Sequence, residues 1–295
     1  MSRLTAADFD PAVLKLFDQY VHGQLSRRDF LSNAGKYAVG GATGASLLAA
    51  LNPSFAAPLV VASDPRIQAS RVELPSPQGY GTVKGYLVMP ARPAGKLPAV
   101  LVIHENRGLN PHIEDIARRL ALDGFLAFAP DALAPLGGYP GEEDAARALF
   151  AKLDQTQTRA DFLAAAAWLR AHPQSNGKLG AIGFCYGGGI VNYLATQLPD
   201  LNAGVPFYGS QPPASEVARI KAPLLIHDAD KDERILAGWP AYEAALKAAG
   251  VSYQHFTYPN TQHGFNNDTT PRYDEAAARL AWERSIAFLK NHLKA

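Results

Sequence analysis

Cys185 is the single cysteine of this 295-residue chain, and it stands in Gly183-Phe184-Cys185-Tyr186-Gly187. The apolar stretch Leu179-Gly180-Ala181-Ile182 precedes it, and Gly188-Gly189-Ile190 follows. Gly-x-nucleophile-x-Gly between a strand and a helix is the elbow that lifts a nucleophile above a sheet, here with sulfur in place of the usual serine oxygen. Side chains at the two flanking glycines would collide with neighbouring backbone, and the nucleophile itself occupies a strained turn. The first turn of the following helix offers N–H groups and a positive dipole end, which favour thiolate over thiol. A small buried thiol in a glycine-rich turn would read the same, so the pattern needs partners elsewhere.

The partners occur in the order nucleophile, acid, histidine. A strand-like run, Ala222-Pro223-Leu224-Leu225-Ile226, leads into His227-Asp228-Ala229-Asp230-Lys231-Asp232-Glu233-Arg234-Ile235, where three aspartates compete to be the acid. Tyr253-Gln254-His255-Phe256-Thr257-Tyr258 leads into Pro259-Asn260-Thr261-Gln262-His263-Gly264-Phe265. That puts His263 on the loop before the final helix, where a general base belongs. Upstream, His104-Glu105-Asn106-Arg107-Gly108 follows the apolar run Ala99–Ile103, and a carboxylate at Glu105 would face the thiol.

These residues need a sheet to hold them. Alternation over 71 to 75 and 80 to 89 predicts an antiparallel ribbon. Continuous or short apolar runs predict strands at 99–103, 125–129, 179–184, 203–208, 223–228 and 252–258. Helical spacing covers 112–122, 142–154, 158–171, 187–197, 238–249 and 273–293. Repeated β-α alternation implies an α/β fold with a mostly parallel central sheet and helices on both faces. Function in such sheets gathers in the loops at the carboxyl ends of strands.

The first 56 residues read differently. Ser26-Arg27-Arg28-Asp29-Phe30-Leu31 precedes a weakly apolar run from Ala34 to Leu51, and Ser54 and Ala56 supply small residues at a cleavage spacing. This is the layout of a secretory signal, with the paired arginines of the twin-arginine type, cut after Ala56 to leave residues 57–295 as one domain. A periplasmic or secreted location and contact with the twin-arginine export machinery follow. A retained N-terminal helical hairpin is the alternative, since residues 11 to 21 have helical apolar spacing.

Composition narrows the rest. With 28 Lys+Arg against 27 Asp+Glu, 47% hydrophobic and 19% charged residues, the chain reads as an ordinary globular protein. No basic cluster lies beyond the N-terminal region, which argues against nucleic-acid partners. One cysteine excludes an internal disulfide framework and multi-cysteine metal sites, and His104, His112 and His227 lack metal-site clustering, so neither cofactor nor metal is expected.

From about residue 70 to the C-terminus the chain resembles the dienelactone hydrolase (carboxymethylenebutenolidase) family of the α/β-hydrolase superfamily. The resemblance rests on His-Glu-Asn-Arg-Gly, Gly-Phe-Cys-Tyr-Gly-Gly, Asp-Glu-Arg-Ile and His-Gly-Phe, and is nearest to exported members. It implies a triad of Cys185, His263 and Asp232, with Asp230 in reserve, and a Glu105 that meets the resting thiol. It implies hydrolysis of a lactone or ester through a thioester, with the backbone N–H groups of Tyr186 and Asn106 meeting the oxyanion. One position departs from the family. Asn267 stands where archetypal members carry an arginine for the substrate carboxylate, leaving Arg107, Arg272 and Tyr208 as candidate substrate contacts. A general carboxylesterase or thioesterase, a thiol redox or sensor protein using Cys185, and a non-catalytic binding protein are the competing readings. A monomer or small homo-oligomer acting on a small ester or lactone is the expected working form.

Overall fold

The computed structural model describes residues 3–55 and 57–294; the expected cleavage residue Ala56 lies outside them. Eight strands form one sheet: β1 (Ile67–Ser76), β2 (Gly81–Pro90), β3 (Leu97–Ile103), β4 (Leu126–Pro130), β5 (Ser175–Phe184), β6 (Ala203–Phe207), β7 (Leu224–Ala229) and β8 (Tyr253–Tyr258). Their spatial order is β1-β2-β4-β3-β5-β6-β7-β8. The β1–β2 ribbon is antiparallel and joins β4 antiparallel; every other pairing is parallel.

Strand β3 shows why the apolar runs are unbroken. Leu97, Ala99, Leu101 and Ile103 enter the core on one face, while Val100 and Val102 enter the core on the other. Successive side chains of a strand point to opposite faces, so burial on both leaves no polar position. On the first face pack α5 (Glu143–Phe150), α6 (Gln155–Arg170), α7 (Tyr186–Gln197) and α9 (Trp239–Ala249); on the second, α4 (Pro111–Leu122) and α10 (Glu275–His292). Each fully buried aliphatic side chain contributes about 1.5–3 kcal/mol.

Most boundaries move by a few residues, and two of the shifts have a plain physical reason. The helical pattern of 142–154 stops at Phe150, because Asp154 is the N-cap of α6, accepting from the Thr156 N–H at 2.8 Å. Strand β5 starts at Ser175, before its apolar run, because Ser175 pairs with Leu97 across a register irregularity.

The N-terminal region is folded. α1 (Pro11–Val21) matches the apolar spacing of 11 to 21 and begins with a proline behind the Asp10 cap. α2 (Arg27–Ala34) and α3 (Gly44–Leu51) complete a small core of Phe17, Tyr20, Phe30, Leu48 and Leu51. The run from Ala34 to Leu51 is thus not one helix: Gly40 and Gly41 adopt positive φ, and α3 packs so closely that a Cβ on Gly44 would lie 2.1 Å from the Leu31 carbonyl oxygen. Among the described residues no helix is long and apolar enough to cross a membrane. This region docks on the sheet domain. The Tyr20 hydroxyl donates to Asp144, Arg27 Nε donates to Asp144 at 3.0 Å, and the Ser54 N–H donates to the Thr269 carbonyl at 2.8 Å.

Candidate active site

The parallel pairs Ile103–Gly183 and Phe184–Phe207 bring the ends of β3, β5 and β6 side by side. Cys185 caps α7 at φ 55°, ψ −112°, and its N–H donates to the Phe207 carbonyl at 3.1 Å. Both elbow glycines are required by space. A Cβ at Gly183 would stand 2.2 Å from the Gly187 carbonyl oxygen, and one at Gly187 would stand 2.2 Å from that of Ile103. Cys185 keeps partial solvent contact rather than sinking among aliphatic side chains.

His263 is buried on the loop after β8, and its Nδ1 lies 2.5 Å from Asp232 Oδ2. The other Asp232 oxygen caps α8 (Glu233–Leu236), accepting from the Ile235 N–H at 3.3 Å, so one carboxylate holds both helix and ring. The geometry thereby separates the three aspartates. Asp228 pairs with His255 at 2.9 Å, and Asp230 makes only a 3.7 Å pair with Lys231. His263 Nε2 has no partner among the described residues, and one nitrogen of this ring lies within 4.8 Å of the Cys185 sulfur.

Neither the Tyr186 N–H, at the first position of α7, nor the Asn106 N–H donates to another described residue. Glu105 departs from expectation. It makes no hydrogen bond with the thiol; its Oε2 accepts from Asn267 Nδ2 at 3.1 Å. The Asn267 amide thus occupies the carboxylate, and the sulfur's neighbour is instead His22, whose Nε2 is 3.5 Å from Sγ.

Arg107 is held inward, with Nε 3.2 Å from Glu143 Oε2. Arg272 is buried with Nε and Nη1 unpartnered among the described residues, its guanidinium 5.0 Å from the Phe17 ring centroid. Tyr208 adopts φ 37° and packs its ring 4.9 Å from that of His263, and its hydroxyl is unpartnered. Cys185 borders two spaces, both walled by Val21, His22 and Asn106. One is a cavity of about 30 Å³ that also reaches Glu105 and Arg272; the other is a cleft of about 470 Å³ lined by Tyr186, Tyr208 and Arg234.

Electrostatics follow from these contacts. Burial alone pushes the Cys185 thiol up, but the charges of His263 and His22 and the His22 contact outweigh it and bring it down to about 5. Burial likewise opposes a charged His263, yet Asp232 and the thiolate raise it to about 10. Sulfur and the two imidazoles also have the spacing of a three-ligand metal group, but Arg234 Nη2 stands 3.0 Å from His22 Nε2 and opposes a cation there.

Sequence reasoning missed His22, Asp18 and Arg234 as site residues. The signal for the first two was Asp18 on the predicted helix 11 to 21 and a His four positions later, just past its end, a spacing that places them on one face.

Residues 83–293 match the model of the dienelactone hydrolase family. The chain belongs to that family. Residues 1–39 match a separate model, YqhI-like. An Escherichia coli K12 protein named "Putative carboxymethylenebutenolidase" is 32% identical over 252 residues, 81% of this chain and 92% of that protein. An E. coli K12 "Putative hydrolase fragment YghX" is 52% identical over 115 residues, 39% of this chain and 98% of that protein. A crystal structure of a "Putative Dienelactone Hydrolase" from Klebsiella pneumoniae superposes with a TM-score of 0.68 at 31% identity, over 76% of this chain and 98% of that one. As a dienelactone hydrolase family member with the α/β-hydrolase fold, the protein is a hydrolase acting on ester or lactone bonds.

Proposed function

We propose that this family member cleaves its ester or lactone through a Cys185 thiolate and a thioester acyl-enzyme. The observation that carries the reading is the Asp232–His263 pair at 2.5 Å beside a thiol whose acidity is raised. The thiolate attacks the carbonyl carbon, and the developing oxyanion meets the free N–H groups of Tyr186 and Asn106, donors whose loss typically costs about 3 kcal/mol each. Collapse expels the alkoxide, which takes its proton from the His263 imidazolium. Neutral His263 then accepts a proton from water as the water oxygen attacks the thioester, and the thiolate leaves. A thiolate leaves more readily than an amine, so amides are poor substrates and activated esters or enol-lactones good ones.

Arg272 Nε and Nη1, without partners among the described residues, border the small cavity beside Cys185 and support a substrate carrying a carboxylate, while Tyr208 lines the larger cleft; Arg107, tied to Glu143, acts by holding the Asn106 loop. We further propose twin-arginine export of the folded chain to the periplasm or beyond. The supporting observation is the Arg27-Arg28 pair, exposed in the first turn of α2.

Hydrolysis of p-nitrophenyl acetate tests the nucleophile. Cys185→Ala and His263→Ala are each expected to lose at least about 100-fold in kcat/KM, within the range for removing a nucleophile or general base. Undiminished rates in both would reject the cysteine mechanism.

A further inference from the structure

Resting on the cysteine reading above, we propose that His22 is a second catalytic imidazole on the Cys185 sulfur, and that residues 3–55 remain on the mature enzyme as a wall of its active site. His22 follows the last residue of α1, and its Nδ1 faces the Asp18 carbonyl at 2.7 Å and the Asp18 carboxylate at 3.2 Å. Both partners are acceptors, so Nδ1 carries the hydrogen and Nε2 is turned to the sulfur at 3.5 Å. As in Asp232–His263 an aspartate lies at Nδ1, here as a 3.2 Å ion-pair neighbour beside the hydrogen-bonded Asp18 carbonyl, and the two imidazoles meet edge to face at 4.6 Å. The thiol therefore sits between two Asp–His pairs, one from the sheet domain and one from the N-terminal region.

The wall is tied to the machinery as well as placed near it. Val21, just before His22, offers its carbonyl to Asn106 Nδ2 at 2.8 Å, on the loop whose N–H faces the oxyanion. His22 lines both the small cavity and the large cleft, so it partitions the space around the sulfur. Cleavage after Ala56 and a site that contains His22 exclude each other in one mature molecule.

The chemistry is a proton transfer. The S–H bond breaks, its electron pair stays on sulfur, and the proton is held on the Nε2 of one of the two rings, with Asp18 or Asp232 balancing the charge. The groups facing His22 are Asp18 on its own helix, Cys185, His263 and, from α8, Arg234 with Nη2 at 3.0 Å. Burial lowers the affinity of His22 for a proton, while the thiolate and Asp18 raise it, and the net direction is upward. Arg234 works against that by offering hydrogen to the same nitrogen, which confines a protonated His22 to the thiolate state.

The test uses the full chain and compares wild type with His22→Ala, Asp18→Asn and the exposed control Lys15→Ala. Readouts are the pH profile of Cys185 alkylation by iodoacetamide, kcat/KM on p-nitrophenyl acetate, and the N-terminal mass of active enzyme purified from cells. Expected for His22→Ala are a midpoint raised by about one pH unit or more and kcat/KM lowered about 10-fold or more. Asp18→Asn is expected to move both the same way by less, and Lys15→Ala neither. A His22→Ala enzyme matching wild type in both readouts, an equal shift in Lys15→Ala, or active enzyme beginning at residue 57 overturns the inference. Should His22→Ala fail to fold, Asp18→Asn decides: wild-type behaviour overturns it. Retained activity in Cys185→Ala instead removes the cysteine reading itself, whereas an inactive Cys185→Ala beside a wild-type-like His22→Ala sinks only the role of His22.

Discussion

A thiol packed mostly away from solvent resists ionisation, so the anion at Cys185 depends on neighbours that keep their own protons. Asp232 and the thiolate hold the proton on His263, and that imidazolium, with His22 beside it, holds the sulfur deprotonated. Thiolate forms as pH rises through about 5, and the His263 imidazolium is lost as pH rises through about 10, so the ion pair exists between them. Alkylation of Cys185 is therefore expected to reach half its plateau rate near pH 5 rather than near the value of about 8.5 for a free thiol. A midpoint near the free-thiol value would show that the imidazoles do not supply the charge.

At the scale of elements, the elbow is a packing problem solved by omission. Strand β5 turns into α7 within one residue because Gly183 and Gly187 leave room for the Gly187 and Ile103 carbonyl oxygens 2.2 Å from where their Cβ atoms would be. Gly183→Ala cannot be relieved by a rotamer change, since the obstacle is backbone. It is expected to lower stability by about 1–3 kcal/mol, the range for overpacked sites. Displacement of the sulfur by as little as about 1 Å further predicts a fall of about 100-fold in kcat/KM. Denaturant midpoints and pNPA kinetics on the same preparation measure the two effects, and a variant with full activity would mean that the elbow tolerates a Cβ.

For the whole molecule, two apolar layers on either side of the sheet hold the strand ends in register, and the N-terminal region adds a third core against the active-site rim. Contacts of Tyr20 and Arg27 with Asp144, and of Ser54 with Thr269, anchor it. Arg27 and Arg28 stay exposed in that arrangement, available to an export receptor while the chain is folded. Replacing both by lysine is expected to deplete the protein from the periplasmic fraction, because guanidinium recognition does not carry over to an ammonium. Unchanged fractionation would remove the export proposal.

The sheet, its helices and the order of Cys185, Asp232 and His263 were legible in the sequence. They follow from local rules: burial on both faces of β3 demands an unbroken apolar run, the elbow demands glycines at fixed offsets, and helix spacing repeats along one chain. Even there, one choice stayed open until the chain was folded, and one expectation failed. Asp232 rather than Asp230 reaches His263, and Glu105 turns to Asn267 rather than to sulfur, because both outcomes depend on which atoms meet across loops far apart in sequence. His22 belongs wholly to the tertiary structure. Asp18 four residues earlier marks it at most as a paired imidazole, not as a nucleophile's partner, and it lies 163 positions from the sulfur it touches. Only the docking of α1 across the ends of the strands closes that distance.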